Sequence, residues 1–166
     1  MIKEFEFYHG LVFSRLIHTY NGQIEIKPYP TQSNSSYILN DKVGLYIKYS
    51  TKRMTPWHFS FRQQHQEEIQ EMQAKLSSVF VLLVCNDDGI VCINDKELKQ
   101  VLDENFLPVE SIRIGRKPRE KYSVSGTDGK LKLKIGDSDF PKKLFVETGA
   151  PKKVNLLSYI GIKSRA

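Results

Sequence analysis

Lys48 places an ammonium group inside the apolar, β-branched run "GLYIKYS". Alternate side chains of a strand share a face, so Tyr46, Lys48 and Ser50 point one way and Leu45, Ile47 and Tyr49 the other. An unpaired buried ammonium costs several kcal/mol. Lys48 therefore either snorkels past the strand to water or meets a carboxylate, for which Asp41 and Glu4 are the sequence candidates. Upstream, Glu25 and Lys27 share one face of a short strand in the segment "QIEIKPY". A second chemistry belongs to the cations. Arg113, Arg116, Lys117, Arg119 and Lys121 surround Pro118 and read as phosphate contacts, joined by Lys52 and Arg53 of the basic turn after Lys48. Lys130, Lys132 and Lys134 alternate with Leu131, Leu133 and Ile135, which spaces three ammonium groups about 7 Å apart along one strand face. That spacing is near the distance between successive phosphates, and the competing explanation, which is preferred for these three, is lysines that guard an edge strand.

The charge distribution points the same way as the clusters. Residues 1–108 hold 11 Lys/Arg against 13 Asp/Glu (net −2), and residues 109–166 hold 14 against 6 (net +8). A basic final third on a slightly acidic body suits a polyanion, with nucleic acid the expected partner and the choice of DNA or RNA open. A homodimer or a partner protein is equally compatible with the pattern. No apolar run approaches a membrane span, and the start "MIKEFE" does not read as a signal peptide, so a cytoplasmic, bacterial-type protein is expected. Cys85 and Cys92 read as buried thiols, and the four histidines show no zinc spacing with them. "GTDGKL" has its glycines too close for a phosphate loop and reads as a hairpin turn. No Ser-His-Asp or Cys-His spacing suggests a nucleophile.

The elements that must position these residues follow from periodicity. A helix is expected over 4–20, ended by Asn21-Gly22, with apolar rows at Phe7, Leu11 and His18 and at Val12, Leu16 and Tyr20. "QIEIKPY", "YILN", "VGLYIKYS" and "WHFSF" read as strands, the second and third joined by a turn at Asp41-Lys42. His65, Ile69, Met72 and Leu76 recur at helical spacing, giving a helix with a narrow apolar stripe; Glu67, Glu68 and Glu71 form its solvated face, unless one of them reaches the Lys48 site. "VFVLLVC" is a strand buried on both faces. "IVCIN" follows an Asn-Asp-Asp-Gly turn, and Asn94-Asp95 caps a helix over "KELKQVLDE". "SIRIGR", "KYSVSG" and "LKLKI" are expected as short strands. The whole is an α/β (α+β) single domain over 1–166, a central mixed sheet flanked by helices. Its core covers about 1–108 and a β-rich basic extension about 109–166.

The order helix, antiparallel strands, a strand carrying an inward lysine, then a helix and a buried strand resembles the core of the PD-(D/E)XK, restriction-endonuclease-like nucleases. The stretch "NDKVGLYIKYSTKRMTPWHFSFRQQHQEEI" carries the likeness, which extends over roughly residues 1–95. The resemblance implies a nuclease with an aspartate at a strand end and an acidic residue two before a lysine, together holding Mg²⁺. Asp41 then stands for the aspartate, Lys48 for the lysine that polarises the phosphate or its attacking water, and the basic extension for the backbone grip. Tyr46 departs from the pattern where a carboxylate belongs, and tyrosine is a poor ligand for a hard cation. Either the carboxylate has moved to Glu25, making Glu25 and Asp41 the metal ligands, or Glu25 and Lys27 are an exposed ion pair. The corresponding functions are a Mg-dependent endonuclease in a bacterial defence or processing setting, and a catalytically inactive nucleic-acid- or protein-binding module.

Overall fold

The computed structural model describes residues 1–148. Its elements are α1 (Glu4–Thr19), β1 (Ile26–Pro28), β2 (Ser36–Leu39), β3 (Val43–Ser50), β4 (Trp57–Arg62), α2 (Gln63–Lys75) and β5 (Ser78–Cys85). They continue with β6 (Gly89–Ile93), α3 (Asp95–Val101), β7 (Val109–Gly115), β8 (Ser123–Gly126), β9 (Gly129–Lys130) and α4 (Asp139–Thr148).

A first sheet has the order β1-β2-β3-β5-β6. Its first three strands are antiparallel, β3 and β5 are parallel across the α2 crossover, and β6 returns antiparallel to β5. The unbroken apolar run of β5 is buried at every residue, as a strand covered on both faces must be. Between β2 and β3, Asn40 and Asp41 both have positive φ (50° and 57°), and the Lys42 N–H returns to the Leu39 carbonyl. Short polar side chains tolerate that left-handed pair, which matches the twist of a tight hairpin.

Two apolar layers cover this sheet. On one face Leu45, Ile47 and Leu82 pack against Val12 and Leu16 of α1 and Phe140 and Leu144 of α4. On the other, Tyr46 and Leu83 meet Ile69 and Met72 of α2, Leu98 of α3, and Phe59, Phe61, Ile112 and Ile114 from a second sheet. Gly44 brings α2 down onto β3, since a Cβ there would lie 2.9 Å from both Met72 Cε and Leu76 Cδ1.

The second sheet, β4-β7-β8-β9, is antiparallel throughout. It joins "WHFSF" to the basic extension, so residues 109–135 are one layer of the same domain and not an appendage. Asn94 caps α3 as expected, accepting the Glu97 N–H (2.9 Å) while Glu97 Oε1 accepts the Asn94 N–H (3.0 Å).

Three expectations are corrected. In α1 the buried row is Val12 and Leu16, whereas Phe7 is 64% exposed. "LKLKI" is not a continuous strand: beyond Lys130 it meets β8 through the Leu131 N–H to the Val124 carbonyl (2.9 Å) and an isolated bridge between Ile135 and Tyr122. Lys130, Lys132 and Lys134 therefore do not line one pleated face, and Leu133 is left 82% exposed. The expected β-rich extension also contains α4. The helix is kinked at Phe140, with Pro141 just after the kink, where its fixed φ suits the start of a helical turn. The remainder of the extension, from residue 149, lies outside the described residues.

Candidate functional site

Lys48 emerges from the C-terminal half of β3 into a gap between α2 and β4. Its Nζ lies 3.2 Å from His65 Nδ1 and 4.8 Å from the centre of the Phe61 ring. The Arg62 backbone N–H also donates to His65 Nδ1 (3.2 Å). A backbone N–H can only donate, so Nδ1 carries the lone pair and the ring proton sits on Nε2. Burial and the neighbouring Lys48 charge hold His65 below its ordinary pKa, which agrees with the neutral ring. Burial pushes Lys48 down to about 8, with Glu68 opposing the shift and Arg62 reinforcing it.

The carboxylate near Lys48 is Glu68, which the sequence places on the solvated side of its helix. It is only 7% exposed. Its Oε2 accepts from the Tyr46 hydroxyl (2.8 Å) and the Ser33 hydroxyl (2.7 Å), and its Oε1 from the Ser33 N–H and the Gln64 amide (both 3.2 Å). Burial raises the Glu68 carboxyl, but the bonds from Ser33, Tyr46 and Gln64 outweigh it and hold the group below its ordinary value. Burial also raises the Tyr46 phenol, which stays protonated and donates. The signal for Glu68 was present in the spacing: it lies three residues after His65 and four before Met72, within the apolar stripe.

Asp41 and Glu25 do not join this pocket. Asp41 precedes β3 and Lys48 lies seven residues further on, which at strand rise is roughly 20 Å. Glu25 and Asp41 instead flank Lys27, at 2.6 Å and 3.5 Å, on the exposed rim beside the β2–β3 turn. The exposed-pair alternative for Glu25 and Lys27 describes this arrangement, with Asp41 added to it.

Nor does the pocket suit Mg²⁺. A carboxylate offers about four lone-pair sites, and all four of Glu68's are taken by neutral donors. The strand neighbour of Tyr46 across the ladder is Ser36, which brings no second carboxylate. Hard divalent cations need oxygen ligands of higher charge than tyrosine and serine supply.

The basic cluster behaves differently. Strand alternation in β4 buries Trp57, Phe59 and Phe61 and turns His58, Ser60 and Arg62 outward. In β7 it turns Ser111 and Arg113 outward. His58 pairs with Arg113, Arg113 with Ser125, and Ser125 with Lys130, so one row crosses four strands. Together with the loop Thr55-Pro56, these strands border an open groove lined by Arg113, Arg116, Lys117, Lys121, Lys130 and Lys134, with Glu120 the only acidic member among the described residues.

Two of those cations are already engaged. Arg116 holds both Asp137 oxygens (2.8 and 2.9 Å) and Asp88 (3.0 Å) while lying 4.6 Å over the Tyr122 ring, and Lys134 pairs with Glu120 (2.6 Å). Arg113, Lys117, Lys121 and Lys130 make no ion pair among the described residues. Lys52 and Arg53 sit on the exposed loop before Pro56, pinned by the Trp57 indole N–H to the Lys52 carbonyl (2.8 Å). Arg119 occupies an exposed turn with φ 64° outside the groove.

No protein-family model, no curated protein and no solved structure matches this chain. Among the described residues no helix is long and apolar enough to cross a membrane. Cys85 and Cys92 are buried, free thiols.

Proposed function

We propose that the chain binds double-stranded nucleic acid through the phosphate backbone and does not cleave it, the inactive-module alternative of the nuclease-like resemblance. The observation that carries this is the groove on the outer side of the second sheet, where four cations with no ion pair among the described residues face a surface of serine hydroxyls. Arginine, lysine and hydroxyl donors are the groups that hold phosphate oxygens and fix a protein on a duplex without reading its sequence. The aromatic residues of β4 all face the core. Among the described residues this face presents His58 but no Phe, Tyr or Trp on which single-stranded bases would stack, and we take a duplex as the better fit.

The reading draws on the resemblance in chain order, with α1 before three antiparallel strands and a parallel β5 reached from β3 through β4 and α2. Against catalysis stand the Tyr46 substitution and the saturated Glu68, which leave Lys48 beside no free carboxylate oxygen.

Fluorescence anisotropy with labelled duplex DNA, duplex RNA and single strands tests the proposal. Wild type should bind a duplex at low salt more tightly than a single strand of the same length. Replacing Arg113, Lys121 and Lys130 together by glutamine should weaken binding at least tenfold. Failure to bind any duplex, or an affinity untouched by the triple change, refutes it. Cleavage of a substrate with Mg²⁺ or Mn²⁺, lost in Lys48→Ala, would transfer the function to the Lys48 pocket.

A further inference from the structure

Glu110 is a charged residue on the wrong side of its strand. It alternates with Ser111 and Arg113 and so faces inward with Ile112 and Ile114. It is 1% exposed, and among the described residues neither carboxylate oxygen has a hydrogen-bond donor. An unpartnered buried carboxylate is among the more expensive features a fold can retain.

Two further carboxylates converge on it from separate segments. Asp103 comes from the loop after α3 and Asp128 from the β8–β9 turn. One oxygen of each of the three residues lies within 4.8 Å of the others. Their backbones are fixed in that arrangement. Asp128 Oδ2 accepts the Asp103 N–H (2.9 Å), Asp103 Oδ1 accepts the Asn105 N–H (2.8 Å), and the Asp128 N–H donates to the Val101 carbonyl (3.0 Å). Thr127 locks the same turn onto β7, its N–H donating to the Ser111 carbonyl (3.0 Å) and its hydroxyl accepting the Ser111 N–H (3.0 Å). No lysine or arginine pairs with any of the three among the described residues; the nearby Lys99 is turned to Glu104 (3.3 Å).

Three like charges held this close, one of them buried, call for a counter-charge that no cation among the described residues provides. We propose that Asp103, Glu110 and Asp128 form a binding site for a divalent cation, with Ca²⁺ as the preferred ion. The donors are all carboxylate oxygens, the set chosen by hard cations. Ca²⁺ accepts irregular coordination and several carboxylates, whereas Mg²⁺ demands octahedral geometry and is usually met by one or two carboxylates and waters. Asp103 and Asp128 are exposed, so water can complete the shell. The ion would tie the α3–β7 loop, the buried end of β7 and the β8–β9 turn together, and it does not depend on the nucleic-acid reading.

The rival is a proton shared between Glu110 and Asp128. Without a cation, burial and the Asp128 and Asp103 charges push the Glu110 carboxyl up to about 7.

Thermal unfolding of the full chain after chelator treatment separates the two. Titration with CaCl₂ should raise Tm by roughly 5–10 °C at a hundredfold excess over Kd, MgCl₂ should do less, and NaCl at matched ionic strength should do nothing comparable. Glu110→Gln, nearly isosteric, should abolish the Ca²⁺-dependent rise. Should that variant fail to fold, Asp103→Asn at the exposed position should reduce the rise and weaken Ca²⁺ in calorimetry. A wild-type Tm indifferent to Ca²⁺, or a rise that survives both substitutions, overturns the proposal in favour of the shared proton.

Discussion

Replacing Lys48 by methionine should make the protein more stable at neutral pH. The folded state holds the Lys48 ammonium at a pKa of about 8 against an ordinary 10.5, chiefly through burial. At about 1.4 kcal/mol per pKa unit that difference is about 3 kcal/mol, and partial access of the ammonium to water reduces it to about 1–3 kcal/mol. Methionine keeps an unbranched apolar stem against Phe61 and removes the charge. Glu68 is not orphaned by the change, because its four hydrogen bonds come from Tyr46, Ser33 and Gln64.

The pH dependence has a definite sign. Below about pH 8 Lys48 is charged in both states and the folded state bears the full penalty. Between 8 and 10.5 the folded state sheds its proton first and the penalty fades. Above 10.5 neither state is charged. Denaturant unfolding of wild type and Lys48→Met at several pH values measures the gap directly, and the subtraction cancels the other titrating groups. A gap of about 1–3 kcal/mol in favour of the variant at pH 7, closing toward pH 10.5, is expected. A variant less stable at pH 7, by a gap that holds up to pH 10.5 and is lost only above it, would show that Lys48 is held as an ion pair and refute the reasoning.

Two further outcomes follow from packed residues. His9 is buried with Nδ1 2.7 Å from the Tyr37 hydroxyl, and burial lowers it to about 4; its contribution is complete above pH 6.5 and fades as pH falls toward 4. Acid titration of wild-type stability should slope through that window, and His9→Gln should flatten it. Gly126 lets the β8–β9 hairpin seat on the end of α3, because a Cβ there would collide with the Val101 carbonyl; Gly126→Ala should cost about 1–3 kcal/mol in denaturant unfolding.

Local patterns made much of this fold readable. The uniform apolar run of β5, the stripe of α2 and the Asn94 cap of α3 each depend on neighbours in sequence, and each appears where the residues put it. Whether "WHFSF" extends the first sheet or starts another depends on its partner Val109–Gly115, some fifty residues away, and no local pattern states it. "LKLKI" has the alternation of a strand but meets the β8 edge only at its two ends, Leu131 and Ile135. Asp41 and Glu25 were legible as carboxylates near a lysine, but the lysine they meet is Lys27. Which of Glu67, Glu68 and Glu71 reaches the site was not legible, since a glutamate within an apolar stripe is stable only when donors such as Ser33 and Tyr46 arrive from other elements. Glu110 shows the same limit: its inward parity on β7 was visible, and the convergence of Asp103 and Asp128 on it was not.

The salt dependence of duplex binding tests the central claim most directly. Four unpaired groove cations, each neutralising one phosphate, give a slope of log Kobs against log salt of about −3 to −4, or roughly a hundredfold loss of affinity from 50 to 200 mM. Changing Arg113, Lys121 and Lys130 to glutamine should bring that slope about three closer to zero. A wild-type slope near zero, or a slope unchanged in the triple variant, would contradict a phosphate-binding groove on the second sheet.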